Sequence, residues 1–211
     1  MMLVEVTPPE ALPISAADAR SRLGLGAGVS EDLLEALIGA VTGKVDGPDG
    51  VLGRALVTQV WNLVLPSWPE GDVIIPMLPL QAIEAVTYRD PDGVTQTMPV
   101  GDYQVVLGSR GSPGRVARGY GRSWPSIRPC RDAVTVRFRA GYGEPEDVPE
   151  AIRTAIVLQV SHLQSMSSPD GFVIRERVDG VGQTDFADKG VSGQALCGAA
   201  EAMLAPFKVY L

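Results

Sequence analysis

The chain has 211 residues, of which 45% are apolar and 20% charged, with a formal net charge of −7. That is the composition of an ordinary globular protein with a real core, and it excludes collagen-like, disulfide-scaffold and low-complexity classes. No apolar run approaches the roughly 20 residues a membrane helix needs, and residues 1–14, broken by Pro8, Pro9 and Pro13, do not read as a secretory signal. A cytoplasmic site of synthesis is expected.

The first 14 residues read as extended. Ser15 then caps a short helix, with Asp18 three residues on, and Gly24, Gly26 and Gly28 end it. Ser30 opens a second helix with Glu31 and Asp32 in its first turn, where the helix dipole favours negative charge. Its apolar residues Leu33, Leu34, Leu37, Ile38, Val41 and Val45 recur at helical spacing, and Gly47, Pro48, Asp49 and Gly50 stop it.

From residue 56 the period changes to two. Residues 56–65 predict a strand carrying Trp61 and ended by Pro66 and Pro69. Residues 83–89 and 94–98 flank Asp90, Pro91, Asp92 and Gly93, a hairpin turn by its chemistry. Residues 103–107 predict a further strand. Residues 133–140 predict another, with Val134, Val136 and Phe138 inward and Thr135, Arg137 and Arg139 outward.

Helix returns after Pro149. Over residues 150–166, Ile152, Ala155, Ile156, Val160 and Leu163 cover one side, and Val157 and Leu158 widen it, as in a helix central to a core or shared with another subunit. Residues 172–189, broken by Gly180 and Gly182, read as extended. A last helix over residues 194–204 places Leu196, Ala200, Met203 and Leu204 on one face, and Pro206 ends it before a short apolar tail. The fold class is therefore α+β, a helical bundle from N- and C-terminal helices with an inserted antiparallel β block. As one domain it comprises a helical part over 15–50 plus 149–206, a β insertion over 55–141 and a tail over 206–211.

Candidate chemistry is sparse. Cys130 and Cys197 lack Cys-x-x-Cys spacing and predict free thiols in a reducing compartment, and with one histidine, His162, no metal site is expected. Ser161 and His162 are adjacent on a helix and point apart, so they form no dyad. Glu144, Glu146, Asp147 and Glu150 could supply paired carboxylates, but carboxylates gather at helix starts for dipole reasons alone, and that reading is the stronger. The Gly24-Leu25-Gly26-Ala27-Gly28 run follows a helix and lacks the lysine and hydroxyl of a phosphate-binding loop. No catalytic residue, cofactor site or metal ligand is expected, and the chain is not expected to be an enzyme.

Charge is uneven. Arg110, Arg115, Arg118, Arg122, Arg128 and Arg131 lie between Asp102 and Asp132 with no acidic residue among them, and Arg137 and Arg139 follow. Tyr120 and Trp124 are interleaved with them. Such a stretch suits either a neighbour's acidic surface or phosphate contact with base stacking; the acidic balance of the whole chain favours the former. A nucleic-acid-binding module using the stretch 110–139 is the alternative.

Ordered motifs run through nearly the whole chain. They begin with Pro8-Pro9 and Ile14-Ser15-Ala16-Ala17-Asp18-Ala19 through Leu23, then Gly53-Arg54-Ala55-Leu56-Val57-Thr58-Gln59 and Trp61. Pro79-Leu80, Ile83, Val86-Thr87-Tyr88 and Asp102-Tyr103 follow. Next come Tyr120-Gly121-Arg122-Ser123-Trp124-Pro125 and the strand from Val134 into Ala140-Gly141-Tyr142-Gly143. Val148-Pro149-Glu150-Ala151-Ile152 and Leu204-Ala205-Pro206-Phe207 close the series.

In this order and spacing the sequence resembles the head–tail connector, or adaptor, proteins of tailed phages and gene transfer agents. One departure is the tail, which continues through Lys208, Val209, Tyr210 and Leu211. The resemblance implies a structural protein of the particle neck, made in the bacterial cytoplasm, forming a dodecameric ring below the portal that extends the DNA channel and offers a tail attachment platform. The implied partners are further copies of the chain, the portal protein, the next neck protein on the stopper or tail-terminator side, and DNA passing without sequence-specific binding; no membrane is implied. Pro206, Phe207, Lys208, Val209, Tyr210 and Leu211 are the expected portal-binding residues. Arg115, Arg118, Tyr120, Arg122, Trp124, Ile156 and Leu163 are the expected contacts with a neighbouring subunit or neck protein.

Overall fold

The structure, a computed structural model, describes residues 1–26, 28–109, 111–167, 176–178, 182–184 and 189–209, with 167, 176–178, 182–184 and 189–194 as backbone alone. The chain divides into two compact units. One comprises Met1–Ala11, Val45–Val148 and the end of the chain from Phe207; the other comprises Leu12–Lys44 and Pro149–Pro206.

The first unit is built from β1 (Met2–Thr7), β2 (Gln59–Leu65), β3 (Val73–Ile75), β4 (Leu80–Arg89), β5 (Thr95–Thr97), β6 (Tyr103–Val106), β7 (Gly114–Arg118) and β8 (Val134–Ala140). They form a five-stranded sheet in the order β1-β2-β8-β4-β5 and a three-stranded sheet in the order β3-β7-β6, antiparallel throughout. The period-2 pattern of β8 sets the register of the larger sheet. Val134, Val136, Phe138 and Ala140 are buried, while Arg137 and Arg139 are exposed. A one-residue slip would drive both arginines into the core, so the register is strongly specified. Trp61 and Leu63 of β2, Val86 of β4, Val73 and Ile75 of β3, Tyr103 of β6 and Val116 of β7 share this core.

The 90–93 turn forms as its chemistry predicts: the Gly93 amide donates to the Asp90 carbonyl at 2.9 Å and the Val94 amide to Asp90 Oδ1 at 2.8 Å. Gly141, at φ +128°, is needed where β8 leaves the sheet; a Cβ there would lie 2.6 Å from the Val57 carbonyl oxygen. Three strands escape the sequence reading. β1 buries no side chain and only Leu3 packs against the core, β3 is three residues long, and β7 carries Gly114 where a Cβ would lie 2.3 Å from Leu80 Cδ2.

A buried polar chain closes the start of this unit. Asp46 accepts from the Leu56 amide at 2.8 Å through Oδ1 and from Gln59 Nε2 at 3.0 Å through Oδ2, and Gln59 Oε1 accepts from Trp61 Nε1 at 2.8 Å. Desolvation by burial raises the Asp46 pKa, opposed by those hydrogen bonds.

The second unit contains α1 (Ala16–Leu23), most of α2 (Glu31–Val45), α3 (Glu150–Ser167), the β9–β10 ribbon (Glu176–Val178, Gly182–Thr184) and α4 (Lys189–Leu204). Ser15 Oγ accepts from the Asp18 amide at 3.1 Å, and Gly24 ends α1 with backbone bonds to Arg20 and Ser21. The buried apolar residues of α2 are Leu34, Ile38, Val41 and Val45 at the spacing of one helical face, while Leu33 turns out exposed. α3 packs against both α1 and α4. The last helix begins at Lys189, five residues before the expected start; of the segment 172–189, only the ribbon strands and Lys189 lie among the described residues.

Candidate interaction surfaces

The arginine-rich stretch folds into β7 and the long connection to β8. Pairing places Ile74, Arg115 and Val106 in one row across β3, β7 and β6, and all three are exposed. Arg115 lies 3.8 Å from Asp72. β7 ends at the exposed Arg118, and the chain turns: the Arg122 amide donates to the Gly119 carbonyl at 2.9 Å, with Gly121 at φ +71°. A positive φ at the third turn residue and a negative one at Tyr120 are the requirements of a type II turn.

The turn is anchored on both sides. The Gly119 amide donates to the Asp102 carbonyl at 2.9 Å, and Arg122 Nε lies 3.3 Å from Asp102 Oδ1. Beyond it, Trp124 stacks on Trp68 with centroids 4.5 Å apart and planes 4° from parallel. Trp124 Nε1 donates to the Gly71 carbonyl and Trp68 Nε1 to the Pro125 carbonyl, so both indole N–H groups are satisfied. Tyr120 sits at the tip, 99% exposed.

Folding shrinks the basic patch. Arg122 meets Asp102, Arg139 meets Glu84 at 2.8 Å, and the Asp132 that closes the stretch meets Arg89 at 2.5 Å. Arg118 and Arg131 remain exposed with no ion pair among the described residues; Arg110 lies outside them. Sequence order separates these charges; the strand register and the Asp102 loop bring them together.

The helical contacts expected for a neighbour are in part used internally. Ile156 is 1% exposed and buried with Ile152, Ala155, Val157 and Val160, because α3 has helices on two sides; this corrects its assignment to a subunit surface. Leu163 is half-buried and lines a cleft of about 180 Å³ with Lys44, His162, Cys197 and Glu201. His162 Nδ1 is buried there without a hydrogen-bond partner among the described residues. Cys130 and Cys197 are free thiols.

The chain end is also held. Phe207 is 8% exposed, and its carbonyl accepts from Nε of the buried Arg54. The Val209 amide donates to the Leu52 carbonyl at 3.1 Å, and Lys208 and Val209 are half-buried. Phe207 is thus grouped with the β unit, with its side chain buried and its carbonyl held by Arg54. Pro206 is exposed; Tyr210 and Leu211 lie outside the described residues.

Three of the four carboxylates, Glu144, Asp147 and Glu150, are held in structural contacts. Glu144 and Asp147 form a reciprocal capping box, and Glu150 binds Arg22, Arg153 and Thr154. Hydrogen bonds from Arg22, then Arg153, pull the Glu150 pKa down to about 2, the opposite of what a general acid needs. Among the described residues no group of three or more His, Cys, Asp or Glu side chains could hold a metal ion, and no helix is long and apolar enough to cross a membrane.

No protein-family description and no curated protein matches the sequence. Solved structures do. The fold is shared with chains of gene transfer agent particles. A chain in the neck of an empty particle, computed with C6 symmetry, matches with a TM-score of 0.65 at 21% identity, over 100% of this chain and 97% of the other. A chain in the virion of a native particle matches with 0.65 at 23% identity, and one in the native neck at C12 symmetry with 0.63 at 23%, both over the same shares. Likeness along the whole chain at this identity establishes a common fold.

Proposed function

We propose that this chain is a structural component of the neck of a gene transfer agent or tailed-phage particle, an adaptor forming a ring of identical copies between portal and tail. The observation that carries the reading is the end-to-end match to chains of particles whose necks have six- and twelve-fold symmetry. On this reading the helical unit forms the ring body, the β unit faces the next neck protein, and the chain end from Pro206 lies toward the portal. The channel passes DNA without reading its sequence, and the chain needs no cofactor and performs no catalysis. The commitment of Glu144, Asp147 and Glu150 to caps and ion pairs supports the last point. Of the expected contacts, Arg115, Arg118, Tyr120 and the exposed edge of Arg122 are left on the surface to meet a neighbouring copy or neck protein.

Electron cryo-microscopy of particles purified from the producing strain tests this. Density for the chain as a ring at the neck is the expected result, and its absence from the neck overturns the reading. The isolated protein is expected to sediment largely as a monomer and to close into a ring on the portal; a stable ring at micromolar concentration without portal would contradict that part.

A further inference from the structure

An almost fully exposed tyrosine at the tip of a doubly anchored turn is an unusual use of a large side chain. The anchors remove the mobility that would make the exposure incidental: Gly119 is bonded to Asp102, Arg122 is paired with it, and Trp124 is stacked on Trp68. The turn therefore presents Tyr120 as a preorganised peg, with Arg118 on one side and Arg122 on the other.

The same unit carries a cleft of about 250 Å³ whose lining is apolar at Pro8, Ala11, Val57 and Val60 and acidic at Glu10 and Glu144. It is smaller than the roughly 300–1,000 Å³ of small-molecule sites and is of a size for one aromatic ring. The one cation in its lining, Arg139, is already paired with Glu84 at 2.8 Å, so Glu10 and Glu144 leave the cleft negative.

We infer that Tyr120 of one copy enters this cleft on the next copy, with Arg118 against Glu10 at its rim, as a head-to-tail contact of the ring beside the helical ring body. This deepens the ring proposal and rests on it. A chain does not fill its own cleft. Tyr120 is 99% exposed in the single chain, so its ring occupies no cleft of its own copy. Peg and cleft are thus different patches of one surface. That makes the contact heterologous, and such a contact closes into a ring when its rotation closes. Opposite charge at the rim sets the register.

The test replaces Tyr120 with the photoreactive p-benzoylphenylalanine in the full-length chain, in cells producing particles, and identifies the adduct by mass spectrometry. The expected product joins position 120 to a peptide of a second copy containing residues 7–11, 57–60 or 139–144. In the same background Arg118→Glu should lower the adduct yield about tenfold, and adding Glu10→Arg should restore it. Both positions are exposed, so neither change threatens the fold. An adduct to nucleic acid, to a different protein or to another part of the second copy overturns the inference, as does no adduct at all. Images of the same particles separate the two proposals: a ring at the neck without the cleft adduct sinks the peg alone, and no ring sinks the neck reading itself.

Discussion

Arg54 and Phe207 are 153 residues apart in sequence, yet the buried guanidinium of the first holds the backbone carbonyl of the second. Arg54 Nη1 also donates to the Tyr142 hydroxyl at 3.4 Å, so one side chain ties the end of the chain to two loops of the β unit. Replacing it removes the guanidinium donor to the Phe207 carbonyl and to the Tyr142 hydroxyl. Arg54→Met is expected to cost roughly 2–4 kcal/mol, lowering the thermal midpoint by about 5–10 °C. Unfolding followed by circular dichroism checks this; an unchanged midpoint would mean that the chain end is not docked through Arg54.

Glu150 makes stability pH-dependent. Its ordinary pKa of 4.5 is pulled down to about 2 in the folded chain, first by Arg22 and then by Arg153. A depressed carboxylate stabilises the fold above 4.5, and that contribution is lost as pH falls towards 2. The side chain is 58% exposed, so screening keeps the contribution within about 1 kcal/mol. Glu150→Gln should therefore destabilise by up to about 1 kcal/mol at pH 7 in urea denaturation, with the difference vanishing at low pH. Asp46 acts in the opposite sense: its raised pKa means that its contribution falls as pH rises through the folded value. The Asp46 effect is common to wild type and variant and cancels between them.

The direction of the Asp46–Gln59–Trp61 chain depends on a carboxylate, which only accepts. Asn at 46 can serve the Leu56 amide but then turns its own N–H groups towards Gln59 Nε2. Rotating the Gln59 amide to compensate leaves the Trp61 indole facing a donor. Asp46→Asn is expected to cost about 1–3 kcal/mol although it conserves shape. Equal denaturant midpoints would refute that.

The Trp68–Trp124 stack should be visible directly. Two indoles stacked 4.5 Å apart couple their electronic transitions, and an in-plane rotation between their transition moments gives paired bands of opposite sign in circular dichroism. Trp124→Phe is expected to abolish the couplet while the fold persists, and Trp124→Ala to cost about 2–4 kcal/mol through the lost burial and stacking. A couplet that survives Trp124→Phe would assign it elsewhere.

Local chemistry was legible wherever neighbours in sequence decide the outcome. Ser15 caps α1, the Asp90–Gly93 turn builds the β4–β5 hairpin, and the alternation of β8 divides Phe138 from Arg137 as its period demands. The same sequence concealed β1, an edge strand with no buried side chain, β3, with three residues, and β7, which opens on Gly114 and buries only the side chain of Val116; each carries too few alternations to stand out. It also overstated two surfaces. Ile156 reads as surplus apolar area because one helix cannot show how many others cover it, and α3 is packed by α1 and α4. The arginine stretch reads as a large basic patch because Asp72 and Glu84 lie well before it and Asp102 only at its border, and all three meet its arginines only after the sheets form.

By itself, then, the sequence determined the α+β class, the caps, the turn and the inward face of each long element, all of which depend on residues within a few positions of one another. Only the tertiary structure decided which charges are neutralised, that Phe207 is folded in, and that Tyr120 stands out on an anchored turn. Those outcomes depend on loop closure and strand register, which bring together residues 20 to 153 positions apart, and no local pattern encodes them.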